Sequence, residues 1–182
     1  EATGHKIITM VGTEGKLSPS DVKEAVGAHT DEHMVKPRLV YISNATELGS
    51  IYTKAELKAL SEVCREHKLL LFMDGARLGS ALTSSKNDLT LREISTLVDA
   101  FYIGGTKNGA LIGEALVICT DSLKEDFRFH IKQKGALLAK GRLLGIQFRE
   151  LFRDNLFFEL AEHANSMAAK IQDTLVSLGC PL

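Results

Sequence analysis

Two hydrophobic rhythms divide the chain. In the first two thirds, short and nearly unbroken apolar runs alternate with segments of helical spacing. Lys6 to Val11, with Ile7, Ile8, Met10 and Val11 before a Gly12 to Gly15 turn, predicts a strand. Ser18-Pro19-Ser20-Asp21 then offers a capping hydroxyl, a proline suited to the first helical position and an acid for the positive first turn, so a helix is expected to about His29. Arg38 to Ser43 reads as a second strand. Thr53-Lys54-Ala55-Glu56 has the form of a capping box, and Leu57, Leu60, Val63 and Cys64 recur at helical spacing to about His67. Leu69 to Met73 is apolar at every position, the pattern of a strand covered on both faces, and stops at Asp74-Gly75. Leu89 to Val98 predicts a short helix, Asp99 to Ile103 a buried strand, Gly104 to Gly109 a glycine-rich loop and Ala115 to Cys119 another strand.

Strand and helix in repeated succession point to an α/β fold with a mainly parallel sheet between helix layers. Beyond Thr120 the rhythm changes, with Leu, Ile and Phe recurring every three or four residues from Leu137 to Leu175, so the C-terminal third is expected to be helical. Gly141 and Gly145 are placed to weaken or bend one of its helices. The expected division is an α/β portion over residues 1–120 and a helical segment over 121–182.

Composition narrows the classes of function. With 182 residues, 45% of them apolar, the chain can bury a real core, and disorder is excluded as its main state. Lys and Arg number 22 against 23 Asp and Glu, leaving a net charge of −1 and no long-range field to attract nucleic acid or anionic lipid. The apolar runs are far below the ~20 residues needed to span a bilayer. Three cysteines, Cys64, Cys119 and Cys180, are odd in number and widely spaced, which fits a reducing, cytoplasmic setting with Cys64 and Cys119 as small core residues. The start at Glu1, without methionine and close to a strand-like run, suggests a piece of a longer protein.

Ligands of open α/β sheets collect at the carboxyl ends of strands, which directs attention to Asp74 and Lys107. Each follows a buried strand. A lysine among Gly104, Gly105 and Gly109 can act as a nucleophile if its amine is neutral, and an acid at a strand end can hold a proton on a pyridine nitrogen. That pairing is what pyridoxal 5′-phosphate (PLP) requires. Arg77 adds a planar fork for a carboxylate or phosphate. Taken singly, such an aspartate is more often a helix cap and such a lysine a solvated loop tip. The loop lacks the P-loop order of glycines, lysine and hydroxyl. His29-Thr30-Asp31-Glu32-His33 matches the inverted zinc-peptidase pattern, but Gly27, Thr30, Asp31 and Pro37 indicate a helix already ending there, so no metal site is expected.

Met73-Asp74-Gly75-Ala76-Arg77, Phe101-Tyr102-Ile103-Gly104-Gly105-Thr106-Lys107 with Gly109-Ala110, and Leu138-Ala139-Lys140-Gly141-Arg142-Leu143-Leu144-Gly145-Ile146-Gln147-Phe148 together resemble the low-specificity L-threonine aldolases, of the β-eliminating lyase group of fold-type I PLP enzymes. The resemblance runs from Thr3-Gly4-His5-Lys6 to the last helix. It implies a PLP-dependent transferase-like large domain, a Schiff base on Lys107 with Thr106 and Gly105 beside the cofactor, Asp74 against the pyridinium nitrogen and Arg77 on the substrate carboxylate. The implied reaction is retro-aldol cleavage of L-threonine or L-allo-threonine to glycine and acetaldehyde. Thr46-Glu47-Leu48-Gly49 stands where many relatives carry a Thr-His-x-Gly turn. Glu47 takes the general-base role if burial raises its pKa; otherwise it is a turn residue. Lys132, Lys134, Lys140 and Arg142 read either as a solvated face or, by resemblance, as a reach towards a neighbouring subunit's cofactor phosphate. A homodimer or homotetramer is implied, with the phosphate cup, the ring-stacking residue and a small C-terminal domain supplied outside these 182 residues, so that this segment alone is expected to bind PLP weakly. The alternatives are another PLP-dependent β-eliminating amino-acid lyase and a non-catalytic assembly domain.

Overall fold

The computed structural model describes residues 3–180. Three capping boxes start helices where the sequence places them. Ser18 and Asp21 open α1 (Pro19–Gly27), Thr53 and Glu56 open α2 (Lys54–Glu66), and a third short helix follows Asp74 as α3 (Leu78–Leu82) without any side-chain cap. Thr90 and Glu93 then open α4 (Leu91–Leu97). In each box the hydroxyl accepts the N3 amide while the N3 carboxylate accepts the cap amide, so two free donors are satisfied within four residues.

Four strands, β1 (Leu39–Ser43), β2 (Leu70–Asp74), β3 (Ala100–Gly104) and β4 (Glu114–Ile118), lie side by side in that order. β1, β2 and β3 are parallel, and β4 returns antiparallel to β3. The sheet is thus mainly parallel, with helices supplying the crossovers. One face is closed. Val40, Ile42, Leu71, Met73, Phe101 and Ile103 meet Leu57 and Leu60 of α2, Leu78 of α3 and Ile94 of α4 in a single core. The opposite face stays open among the described residues, with Leu39, Tyr41 and Leu116 each about half exposed. β2 is apolar from Leu70 to Met73 and still alternates in burial, because helices cover only the side of Leu71 and Met73.

The C-terminal third is helical: α5 (Phe127–Gln133), α6 (Arg142–Phe152) and α7 (Leu156–Ser177). α7 packs along α3, where Phe157 and Ala161 are fully buried. Asn165 donates to the Ser80 carbonyl and the Thr83 hydroxyl, both at 3.0 Å. Gly141 sits just before α6, and Gly145 lies inside it without interrupting the helix.

The expected strand over Lys6 to Val11 does not form. The segment is irregular, with Ile7 and Val11 turned to solvent, because a strand needs a neighbour to complete its hydrogen bonds and none lies beside it among the described residues. α1 ends at Gly27, two residues before His29. His29 folds back onto the Ala25 carbonyl at 2.8 Å, whereas His33 pairs with Asp31 in an exposed cluster with Glu32. The two histidines of the zinc-like pattern therefore do not share a helical face. Cys64 is buried, Cys119 packs at the margin of the core and Cys180 is exposed. No helix among the described residues is long and apolar enough to cross a membrane.

Candidate active site

The site is built where β2 and β3 run out side by side. Asp74 is the last residue of β2, and the Gly104 amide at the end of β3 donates to the Gly75 carbonyl at 2.9 Å. Neither glycine has room for a side chain. A Cβ on Gly75 would lie 1.9 Å from the Tyr102 carbonyl oxygen, and one on Gly104 would lie 2.3 Å from that of Ala76. The turns after the two strands interlock through their main chains, which explains Asp-Gly and Gly-Gly at these points more directly than approach of a ligand does.

Lys107 is exposed at the tip of a loop fastened on several sides. The Gly105 amide and the Thr106 hydroxyl donate to the two oxygens of Glu114, the latter at 3.1 Å. Asn108 donates to the Phe157 carbonyl at 2.8 Å, and the amides of Leu111 and Ile112 donate to Gln147 of α6 at 2.7 and 3.3 Å. The base of the loop is fixed, while the lysine side chain makes no hydrogen bond or ion pair among the described residues. Gly105 and Thr106, expected beside a cofactor, are engaged in this structure by Glu114.

Asp74 is half-buried and surrounded by donors. Oδ1 accepts the Ala76 amide at 2.9 Å and the Tyr102 hydroxyl, and Oδ2 accepts the Tyr41 hydroxyl. Burial by itself pushes the carboxyl up. The hydrogen bonds from Tyr102, Tyr41 and Ala76 and the positive charge of Lys107 outweigh it, leaving Asp74 below its ordinary value and ionised at neutral pH. Burial, the hydrogen bond to Asp74 and its negative charge push both phenols well above the usual tyrosine value, so each remains a donor. Tyr41, Phe72 and Tyr102 form an aromatic row on the open sheet face, with centroids 5.5 and 6.3 Å apart.

Arg77 follows three residues later and pairs through its guanidinium with Glu47 at 3.0 Å. Glu47 stands on a turn pinned by buried Thr46, whose hydroxyl meets that of Ser50 at 2.8 Å. The Glu47 side chain is 77% exposed, so the burial on which its general-base role depends is not supplied by the described residues. A cleft of about 310 Å³ opens beside the pair, lined by Thr46, Glu47, Arg77, Ser80, Ser84 and Asn165. Lys132, Lys134, Lys140 and Arg142 are all exposed.

Reasoning from sequence missed Tyr41, Tyr102 and Glu114. The signal for the tyrosines was available: each lies on a strand flanking Asp74, at a position whose alternation puts it on the aspartate's face. Glu114 carried no comparable mark, because its partners are fixed only by the antiparallel register that sets it opposite Gly104.

A family model described as beta-eliminating lyase matches residues 1–182. The chain belongs to that family. A low-specificity L-threonine aldolase of Pseudomonas sp. (strain NCIMB 10558) is 37% identical over 180 residues, covering 97% of this chain and 51% of that protein. The low-specificity L-threonine aldolase of Pseudomonas aeruginosa is 35% identical over the same coverage. A solved structure of Leishmania major threonine aldolase is 56% identical and superposes with a TM-score of 0.95 over 98% of this chain and 52% of that one. The chain spans about half the length of these relatives. Beta-eliminating lyases and threonine aldolases are PLP-dependent.

The residues present fit that cofactor. A carboxylate has about four acceptor sites; among the described residues three on Asp74 are taken, which leaves one on Oδ2 able to accept from a protonated ring nitrogen. Lys107 extends from the adjoining turn, close enough for its charge to act on Asp74.

Proposed function

We propose that the protein containing this chain is a PLP-dependent aldolase that cleaves L-threonine and L-allo-threonine to glycine and acetaldehyde. The observation that supports the reading is the hydrogen-bonded junction of the turns after β2 and β3, with ionised Asp74 on one and exposed Lys107, whose charge acts on Asp74, on the loop that follows the other, in a chain similar over nearly its whole length to threonine aldolases.

Lys107 is the residue that holds the cofactor covalently, and Asp74 keeps the proton on its ring nitrogen. When bound there, the cofactor would supply an electron sink for cleavage of a bond to Cα. Arg77 binds the substrate carboxylate, and Glu47 occupies the guanidinium until substrate arrives. Gly105 and Thr106 act as the anchored stem of the lysine loop, set by Glu114. In this reading residues 1–120 form the cofactor-binding part and residues 121–182 the approach to a further domain. The protein works in the cytoplasm as a homodimer or homotetramer.

The test uses the full-length protein with PLP and L-threonine. Glycine and acetaldehyde are expected in equal amounts, the aldehyde read by coupled reduction with NADH. Lys107→Ala should abolish turnover. Release of ammonia and an oxo acid instead would assign β-elimination, and full activity in Lys107→Ala would remove the lysine from the chemistry.

A further inference from the structure

Asp74 is met from both sides by phenols on different strands. Tyr41 stands on β1 and Tyr102 on β3, and the two hydroxyls donate to separate oxygens of the carboxylate, while the Ala76 amide also donates to Oδ1. The sheet does not need them for its own cohesion. β1, β2 and β3 are already joined by backbone ladders, and Tyr41 is 53% exposed, so it is poorly placed to serve as a core residue. Its ring stacks on Phe72, and its hydroxyl donates to Asp74 two residues further along the same neighbouring strand. The charged groups acting on this cluster are Lys107 on Asp74, Glu47 on Tyr41 and Glu114 on Tyr102.

We propose that Tyr41 and Tyr102 are positioning residues for Asp74: their two hydroxyls fix the plane of the carboxylate and leave one acceptor site, on Oδ2, directed to the ring nitrogen of the cofactor. The inference rests on the reading of Asp74 as the ring-nitrogen partner. A free carboxylate turns about its last bond and shares its charge with water; one clamped on both oxygens cannot. Hydrogen bonds to a charged acceptor are among the strong ones, so two of them set both its orientation and its readiness to keep its charge.

The experiment takes the full-length protein as wild type, Tyr41→Phe, Tyr102→Phe, the double variant and Asp74→Asn. The first readout is the titration of the Asp74 carboxyl by ¹³C NMR in cofactor-free protein. The second is the dissociation constant for PLP and the pH dependence of its visible absorption band. Loss of either hydroxyl should move the Asp74 midpoint upward, weaken PLP binding about tenfold and shift the acid limb of the absorption profile in the same direction; tenfold corresponds to about 1.4 kcal/mol. Phenylalanine keeps the aromatic row, and Tyr41→Phe at its half-exposed site supplies a folded variant if Tyr102→Phe does not fold. An unchanged carboxyl midpoint in folded Phe variants would overturn the proposal. A shifted midpoint with PLP binding unchanged in every variant, Asp74→Asn included, would overturn it by removing Asp74 from the ring nitrogen, and that result is distinct from failure of the phenols to act on Asp74.

Discussion

Glu47 and Arg77 face water as well as each other, and that exposure determines what their pairing can do. An open ion pair contributes about 0.2–1 kcal/mol, equivalent to a factor of up to about five in an equilibrium. If Glu47 only occupies the guanidinium, Glu47→Gln in the full-length enzyme should lower KM for threonine by up to about fivefold and leave kcat within about twofold. A general base would behave otherwise, since its removal typically costs 10²–10⁴ in rate. Steady-state kinetics therefore separates the two roles, and a hundredfold fall in kcat would return Glu47 to the proton transfer. The neighbouring Asp74 shows the opposite condition: half-buried, with protein donors on both oxygens, it has little freedom to trade partners.

At the scale of elements, the capping boxes govern where helices begin, and that at α4 also ties two helices together. Lys54 at the start of α2 reaches Glu93 at 2.7 Å, and Glu93 in turn closes the Thr90 box. Hydrogen bonds from Lys54 and Thr90 hold the Glu93 carboxyl down at about 2, against a usual 4.5. A depressed carboxyl stabilises the fold fully above its unfolded value and loses that contribution as pH falls through its folded value. Glu93→Gln should accordingly be less stable than wild type at neutral pH, with the gap closing between about pH 4.5 and 2 in urea-unfolding midpoints. Thr90→Ala should cost about 1 kcal/mol at neutral pH by the same measurement.

The Ser18 and Thr53 starts were legible in the sequence because each cap is complete within four residues, the Thr90 box was passed over although it is equally local, and β1, β2, β3 and β4 were legible because short apolar runs with turn signals are local too. Lys6 to Val11 misled for the complementary reason: its pattern is that of a strand, but pairing belongs to a neighbour and not to the segment. α3 was overlooked because five residues, Leu-Gly-Ser-Ala-Leu, give no period to detect and include weak helix formers. In the site, Asp74, Arg77 and Lys107 were visible from their places after buried strands. The carboxylate clamp on the loop and the phenols on the aspartate depend on register between strands, which no single run displays.

Over the whole molecule, the core is shared between the α/β part and the helical third. Phe157 is fully buried, stacks on Phe152 at 5.0 Å and presents its carbonyl to Asn108 of the lysine loop. Phe157→Ala should cost about 3–5 kcal/mol, a large fraction of the ~5–15 kcal/mol that holds a domain together. Chemical denaturation should show that loss, and amide exchange in the loop around Lys107 should speed up as well. Unchanged exchange there would mean that α7 does not brace the loop.

The turns joined at Gly75 and Gly104 have a mechanical consequence. With no side chain between them, there is no soft layer to absorb a displacement, so flexing at the carboxyl end of the sheet must carry the two turns together. The spacing of the two turns is then a dimension of the main chain, and a single added methyl at either glycine would wedge them apart.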